Sequence, residues 1–379
     1  MSLPRQLPVE SGSVLIAAIS GRALAQAARA SGYRPLVADF FADEDTRAAA
    51  AACERLPGDF AGGFHADTLV AALDRLAVRH RPIALVCGSG FEQQSDLHAM
   101  LDKRFGLAGN KADTVLRTKR VEEFAVLCRT LDIPHPECRR LRPKNQTGWL
   151  SKLEGAAGGW HVVPAAEAPD DPRRYFQRRV TGRPVSAMFL ADGKHAEILG
   201  FSRQWSAPIP GHLYRYGGAV RPAHITRQAE QAMRTAVEKL VASLGLVGLN
   251  SADFLVAAHR INLLEINARP GATLDIYRDH EGRLFEAHLQ ACEGMLPRKR
   301  LKLAAAAAST ILYTERGISN FRFSLWPDWV HDRQGLGTSI PPNGPVCTVT
   351  ATAKSARAAI AMLRGRMRSL AMLTEDVAA

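Results

Sequence analysis

Several patterns that mark common functional classes are missing from this sequence of 379 residues. No two of its six cysteines form a Cys-x-x-Cys pair, so neither a zinc ribbon nor a dithiol redox site is expected. We expect the cysteines to be reduced thiols of a cytoplasmic protein. The chain also has no stretch of about 18 uncharged apolar residues, so we expect no membrane-spanning helix and no membrane partner.

The usual nucleotide and nucleic-acid fingerprints are missing as well. The sequence contains no Gly-x-Gly-x-x-Gly segment, and no Gly-Lys-Ser/Thr follows its glycine-rich loop. Aromatic residues make up only 7% of the chain, and no helix-turn-helix, zinc-finger or aromatic RNA-binding pattern accompanies the net charge of +12. We therefore assign the basic charge to a solvated surface or to acidic small-molecule ligands, and expect no nucleic-acid partner.

What the sequence does contain is an alternation of strand and helix signals in its N-terminal part. Short apolar runs predict buried strands, and helix-forming segments between turn residues predict helices. The predicted strands are Val14–Ile19, Pro35–Phe41 and Ile83–Cys87, and the predicted helices are Arg22–Ala30, Asp43–Arg55, Asp67–His80, Val121–Leu131 and residues 225–244. The early alternation predicts an α/β fold with a parallel sheet and covering helices.

The segment Gly248–Thr273 carries the strongest chemical signal. Two apolar runs flank Ala258–Arg260, which predicts a hairpin with its turn at these three residues. In that register Asp253 lies opposite Glu265. Because side chains alternate across a strand, Asp253, Glu265 and Asn267 share one face.

Two carboxylates placed opposite each other among apolar neighbours repel, and they need a compensating cation. Carboxylate and amide oxygens are hard ligands that suit Mg²⁺, with Mn²⁺ as an alternative ion. The sequence therefore predicts a metal site on Asp253, Glu265 and Asn267. The alternative is a hairpin whose polar face lies in solvent.

A second chemical element is Lys152, followed by Gly155, Gly158 and Gly159. Glycines let a backbone approach a ligand closely and present N–H groups to anionic oxygens, and a nearby lysine adds a point charge for a phosphate. The alternative is a flexible turn that binds nothing.

Together these elements resemble the ATP-grasp superfamily over most of the chain. The matching residues are Asp253 and the run Glu265-Ile266-Asn267-Ala268-Arg269-Pro270-Gly271, which resembles the family pattern Asp…Glu-x-Asn-x-Arg. The resemblance implies an ATP-grasp fold with an α+β lid, ATP as the nucleotide and Mg²⁺ on Asp253, Glu265 and Asn267. It also implies that Arg269 contacts a phosphate or the reacting group.

The same resemblance implies further nucleotide contacts. Lys152 and the glycine segment look like a lid that covers the phosphates. The remaining residues implied are the first nucleotide lysine and a hinge that contacts adenine through its backbone, namely Lys119, Gln177, Arg178 and Val180.

The sequence departs from the family pattern at two positions. Arg178 and Pro184 stand where many members have glutamates that help hold adenine or ribose, so a degenerate nucleotide site stays an alternative. Glu92 follows the predicted strand Ile83–Cys87 and is a candidate for holding a substrate amino group, as in related ligases. The alternative for Glu92 is an ordinary strand-end turn.

Three domains are predicted: a parallel-sheet domain at 1–112, an ATP-grasp domain at 113–300 with its lid at about 141–198, and a small C-terminal domain at 301–379. The resemblance implies an ADP-forming ligase that joins a small-molecule carboxylate to an amine through an acyl phosphate, with Arg269 and Lys152 as catalytic residues. It points to amino-acid ligases of methanofuran- or methylofuran-type one-carbon cofactor biosynthesis, which join tyramine or tyrosine to glutamate. The alternatives are a bicarbonate-using carboxylase of the biotin or purine type and a non-catalytic ATP-binding regulatory protein. The assembly state stays open, with a homodimer among the alternatives.

Overall fold

The structure is a computed structural model that describes residues 12–59 and 62–375. Within these ranges the strands are β1 Ser13–Ala18, β2 Arg34–Asp39, β3 Ala52–Arg55, β4 Gly58–Asp59, β5 Gly63–Phe64, β6 Leu85–Cys87, β7 Cys138–Arg139, β8 Trp149–Leu153, β9 Val163–Pro164, β10 Arg174–Arg178, β11 Arg183–Asp192, β12 Ala196–Ser206, β13 Tyr216–Arg221, β14 Val247–Ala257, β15 Arg260–Asn267, β16 Ala306–Tyr313, β17 Val330–His331 and β18 Pro345–Ala353. The α-helices are α1 Arg22–Ala30, α2 Glu44–Ala49, α3 Ala66–His80, α4 Ser95–Phe105, α5 Ala112–Lys119, α6 Val121–Thr130, α7 Arg227–Leu244, α8 Leu284–Cys292 and α9 Ala356–Glu375. Among the described residues, no helix combines the length and apolarity that a membrane crossing requires.

The N-terminal part forms the predicted parallel sheet, in the order β3-β2-β1-β6. Strand β1 is entirely buried, as its uninterrupted apolar run predicts for a central parallel strand. It pairs with β2 on one side and β6 on the other. The loops that follow β1 and β6 therefore start at the same edge of the sheet, where ligands of open α/β sheets bind.

One predicted helix, Asp43–Arg55, is wrong over its second half. Helix α2 ends at Ala49, and Ala50 is already extended. The next residues form β3, which pairs with β2 from Leu36↔Ala52 onward. The alanine-rich composition favours a helix, but the open edge of β2 offers backbone hydrogen bonds that local propensity does not reveal.

The centre of the molecule is an eight-stranded sheet in the order β15-β14-β11-β12-β13-β16-β18-β17. Helix α7 covers one face and buries its apolar stripe there. The helix starts where Thr226 accepts a hydrogen bond from the N–H of Ala229, and it ends at Gly245 with φ of +66°. The C-terminal strands β16 to β18 extend this same sheet instead of forming one of their own.

A second, smaller antiparallel sheet has the order β7-β10-β8-β9 and carries Lys152 on β8 and Gln177 on β10. It spans residues 138–178 and so accounts for the first part of the lid predicted at about 141–198. The strands from Arg183 onward lie in the large sheet. The division into three domains stays a prediction.

A buried charge cluster joins three distant parts of the chain. The guanidinium of Arg22, on α1, donates to both oxygens of Asp275, with Nη2 at 2.7 Å from Oδ2. It also donates to Asp332, with Nε at 2.9 Å from Oδ1. Asp45, on α2, lies 3.8 Å from Arg22 and accepts the backbone N–H groups of Asp332 and Arg333. One arginine thus compensates carboxylates from the N-terminal sheet domain, the central region and the C-terminal strands.

Replacing this arginine should weaken the whole molecule. Arg22→Met leaves buried carboxylates without their cation, a change of about 3–5 kcal/mol in the free energy of unfolding. Urea unfolding followed by circular dichroism measures the loss. Arg75→Met is the matched control, because Arg75 pairs with Glu54 on the surface and should leave the midpoint unchanged. Equal midpoints for the two variants would contradict the structural role of Arg22.

Candidate functional site

The hairpin of β14 and β15 places the predicted polar residues on one face. Asp253 lies opposite Glu265, and Ser251 lies opposite Asn267, as expected. The turn is shorter than predicted, because Ala257 pairs with Arg260. A bulge at Leu264 takes up the difference.

The polar side chains of this face contact one another. The Nδ2 of Asn267 donates to Oδ2 of Asp253 at 3.0 Å. The ammonium of Lys119, at the end of α5, donates to Oδ1 of Asn267 at 3.2 Å and lies 3.6 Å from Oε2 of Glu265. The side chain of Lys119 is only 6% exposed, so its charge is placed among these oxygens and not in solvent.

The surroundings of the two acids shift their pKa values in opposite directions. Burial and the neighbouring Glu265 raise the pKa of Asp253 to about 6. Burial also acts to raise the pKa of Glu265, but Lys119 and Lys152 outweigh it and hold that pKa below its usual value. The negative charge of Asp253 is therefore the less well compensated of the two, and a cation bound beside Asp253 would be stabilised most.

Two carboxylates and one amide oxygen make up the candidate metal ligands. In the part of the chain that the structure describes, no group of three or more His, Cys, Asp or Glu side chains is arranged to hold a metal ion. A site on this hairpin therefore depends on the Asn267 oxygen and on ligands from outside the protein. The Nε2 of Gln204, on β12, donates to Oδ1 of Asp253 at 3.5 Å.

Arg269 is held in place by a residue from the N-terminal domain. Its Nε donates to Oε1 of Glu92 at 2.8 Å, and the N–H of Gly90 donates to Oε2 at 2.9 Å. Burial acts to raise the pKa of Glu92, but Arg269 and Lys119 outweigh it and lower the pKa to about 2. The carboxylate expected to hold a substrate amino group thus forms an ion pair with Arg269.

The predicted glycine loop lies between two neighbouring segments. A Cβ at Gly155 would lie 2.9 Å from the carbonyl oxygen of Glu92, and one at Gly159 would lie 2.0 Å from that of Tyr214. The N–H of Tyr216 donates to the carbonyl of Gly158 at 3.0 Å. The glycines therefore allow close backbone contact with both the N-terminal domain and the large sheet.

A cleft lies between the small sheet and the hairpin, and the space within it, including the part that is open to solvent, is about 400 Å³. Its walls bring together predicted residues from the α5 end, the glycine loop, the small sheet and the hairpin, namely Lys119, Gly155, Gln177 and Glu265. Lys152 lies on β8 opposite Tyr175, which lines this cleft, and burial lowers the pKa of its ammonium.

The predicted hinge residues are placed differently from one another. The side chain of Arg178 lies over the ring of Trp149, at 5.5 Å from its centre, and donates to the carbonyl of Thr147. Its backbone N–H donates to the carbonyl of Glu137 at 2.8 Å. Arg178 is therefore turned away from the cleft, and neither it nor Val180 is among the lining residues.

The glycine loop offers a matched pair of substitutions. Gly158 and Gly159 have φ of +73° and +74°, so alanine is strained by about 1–2 kcal/mol at either position. Only at Gly159 does the new Cβ meet a backbone oxygen, since Gly158 has nothing closer than a Trp160 ring carbon at 3.5 Å.

We expect Gly159→Ala to displace the loop and Gly158→Ala to leave it in place. Hydrogen exchange measured by mass spectrometry should be faster over residues 150–162 in Gly159→Ala than in Gly158→Ala. Equal exchange rates in the two variants would show that the contact with Tyr214 does not hold the loop.

Comparison with known proteins agrees with this geometry. Residues 118–273 match the model of an ATP-grasp domain. No curated protein matches the sequence. Many solved structures have a similar fold. The three that follow are at most 13% identical to this chain, so the similarity concerns the fold alone.

The first is the biotin carboxylase domain dimer of 2-oxoglutarate carboxylase from Hydrogenobacter thermophilus, in complex with MgADP, ADP and bicarbonate (TM-score 0.71, 12% identity, 94% of this chain and 88% of that one). The second is an L-amino acid ligase from Bacillus licheniformis (TM-score 0.68, 13% identity, 94% and 97%). The third is phosphoribosylglycinamide synthetase from Anaerococcus prevotii (TM-score 0.66, 11% identity, 94% and 98%). The matched region includes the Asp253–Glu265–Asn267 hairpin, so residues 118–273 are similar to an ATP-grasp domain in both sequence pattern and geometry.

Proposed function

We propose that the protein is an ADP-forming ligase that uses ATP to join a carboxylate to an amine through an acyl phosphate. One observation carries the proposal: Asp253, Glu265 and Asn267 converge on one face beside Lys119, at the wall of a cleft that also holds the glycine loop. Phosphoryl transfer from ATP needs this combination of hard oxygen ligands and fixed positive charges.

The hairpin oxygens fit Mg²⁺. They are carboxylate and amide oxygens, and Asp253 and Glu265 face each other across the hairpin, so a cation is favoured at this position. Mg²⁺ bound there would neutralise phosphate charge and bridge to the nucleotide. Mn²⁺ as a substitute stays a prediction, as does a cytoplasmic location.

The remaining charges suit the phosphates and the transferred group. Lys119 and Lys152 supply point charges, and the backbone of Gly155, Gly158 and Gly159 supplies N–H donors. Arg269 is kept charged and oriented by Glu92, so it is ready to stabilise the transferred phosphoryl group.

In the proposed reaction an oxygen of the substrate carboxylate attacks the γ-phosphorus of ATP and ADP leaves. The amine then attacks the carbonyl carbon of the acyl phosphate, and phosphate leaves with the original carboxylate oxygen. The chain's part is to position the reactants and stabilise charge.

The substrates are proposed at two levels. We infer an amino-acid ligase, because the chain has the fold of an L-amino acid ligase over almost its full length. Within that class we propose that the enzyme joins tyramine or tyrosine to glutamate in the biosynthesis of a one-carbon cofactor. This narrower proposal rests on the sequence resemblance. A bicarbonate-using carboxylase is the second candidate, since the fold is also that of a biotin carboxylase domain. That domain is described as a dimer, which supports a homodimer here.

The metal assignment predicts the effect of two substitutions. Asp253→Asn and Glu265→Gln remove the ligand charge that Mg²⁺ needs, so each should lower Mg²⁺-dependent ADP release by about 100-fold or more. ADP release is measured with amino acids, amines and bicarbonate as the screened substrates, and circular dichroism checks the fold. Glu197→Gln, on β12 of the same sheet, is the control and should keep full activity. Undiminished ADP release in both hairpin variants would refute the metal assignment.

An isotope experiment separates the two reactions. With ¹⁸O in the carboxylate of the amino-acid substrate, the released phosphate of a ligase carries one labelled oxygen, because that oxygen leaves with the phosphate. A carboxylase requires bicarbonate, so its released phosphate carries ¹⁸O only when the bicarbonate is labelled. AMP as the product would exclude the acyl-phosphate route, and ATP binding without phosphate release under every substrate mixture would indicate a regulatory protein.

A further inference from the structure

We propose that Arg215 is a positioning residue of the nucleotide site: it holds the indole of Trp160 and thereby fixes the glycine loop beside the phosphates. The inference rests on the proposed function only in requiring that this loop contacts nucleotide phosphates. It concerns what anchors the loop, and it gives the C-terminal strands a part in nucleotide binding.

Four segments of the chain meet at the guanidinium of Arg215, which lies just before β13. Its Nε donates to the carbonyl of Ala207 at 2.7 Å, and its Nη1 donates to the carbonyl of Asn343, ahead of β18, at 3.2 Å. Its Cζ lies 3.8 Å from the ring centre of Tyr313, at the end of β16, and 5.3 Å from that of Trp160. Because Trp160 directly follows the glycine loop, the arginine links this loop to the β12–β13 turn and to the C-terminal strands.

The burial of Arg215 makes these contacts important. The residue is 5% exposed, and its partners among the described residues are backbone carbonyls and aromatic rings, with no carboxylate among them. A buried cation without a counter-ion is unfavourable unless other groups compensate its charge. The face of an aromatic ring does so, and it attracts a guanidinium most strongly where water is excluded. Moving Trp160 away from Arg215 would therefore remove part of the compensation for a buried charge.

Further contacts fix the indole of Trp160. Its ring lies 4.8 Å from the ring of His212 and 6.4 Å from that of Tyr313, edge to face in both cases. The Nδ1 of His212 donates to the carbonyl of Trp160 at 2.8 Å. The hydroxyl of Tyr313 donates to the carbonyl of Tyr216 at 2.8 Å, which holds the ring of Tyr313 against Arg215. We call Trp160, His212, Arg215 and Tyr313 the Trp160 clasp, and it anchors the loop outside the small sheet from which the loop extends.

The clasp determines how often the loop is in place to bind phosphates. Without the clasp the loop is docked for a smaller fraction of the time, and the affinity for a ligand that needs the docked loop falls by the same factor. AMP lacks the β- and γ-phosphates, so it depends on the loop less than ATP does. Loss of the clasp should therefore weaken the binding of ATP and spare that of AMP.

The first test needs no nucleotide. Hydrogen exchange over residues 154–159, measured by mass spectrometry, reports whether the loop stays docked. Arg215→Met removes the charge and Trp160→Leu removes the aromatic face, so each should exchange about fivefold faster than wild type. Trp160→Phe keeps an aromatic face and should stay closer to the wild-type rate. Arg366→Met is the control and should leave the rate unchanged, because Arg366 makes a similar contact, at 5.2 Å, with the ring of Trp329.

The second test is the ratio of affinities for MgATP and AMP, measured by isothermal titration calorimetry without any second substrate. Arg215→Met and Trp160→Leu should weaken the binding of MgATP by about fivefold and change that of AMP by less than about twofold. Tyr313→Leu, which removes the other ring beside Arg215, should act in the same direction, whereas Tyr313→Phe keeps that ring and should retain most of the ratio. A purely structural role of Arg215 would weaken both nucleotides by the same factor.

The outcomes separate this proposal from the proposed function. An unchanged exchange rate in Trp160→Leu, equal rates in Trp160→Leu and Trp160→Phe, or an equal loss of MgATP and AMP affinity would overturn the role of the clasp. If Arg215→Met does not fold, Trp160→Leu decides, because Trp160 is only half-buried. The expected exchange rates and affinity ratios without ligation under any substrate mixture would refute the proposed function alone. Binding of neither nucleotide by the wild-type chain would refute both.

Discussion

The opposition of two carboxylates on the β14–β15 hairpin is the constraint that organises this protein. Asp253 and Glu265 face each other on neighbouring strands, and the structure meets their charge from outside the hairpin. Lys119 comes from the end of α5, and Arg269 is oriented by Glu92 of the N-terminal domain. Three segments far apart in sequence are thereby tied to one patch of sheet, and this patch forms part of the cleft wall.

The hairpin also shows which parts of the site a local sequence pattern can predict and which it cannot. Side-chain alternation within each strand is a property of the extended backbone, so the shared face of Glu265 and Asn267, which lie two residues apart on β15, could be predicted from spacing alone. The relative register could not, because the turn is one residue shorter than predicted. Without the bulge at Leu264, that turn would place Leu264 opposite Asp253 and move Glu265 to the other face. The expected pairing therefore results from two deviations that cancel.

Other features were beyond the sequence because they depend on partners far along the chain. Nothing in the sequence of Ala52–Arg55 indicates that this segment pairs with the free edge of β2. Glu92 and Arg269 are separated by 177 positions, and no spacing rule joins them. The sequence around His161 gives no sign of burial, but its Nδ1 accepts the N–H of Leu153 and burial lowers its pKa to about 4. In each case tertiary contact decides the state of a residue whose local signal is neutral.

The extension of the large sheet by β16 to β18 has a consequence for how the chain can be divided. Strand β13 lies next to β16, and Val220 pairs with Ala308 there. A fragment ending near residue 300 would leave this side of β13 as a bare edge with unpaired backbone groups beside an apolar residue. Such an edge recruits strands from other molecules, so the fragment would assemble with copies of itself. The C-terminal segment thus covers this edge of the central sheet, and we expect the part that carries the hairpin to need that cover to stay monomeric.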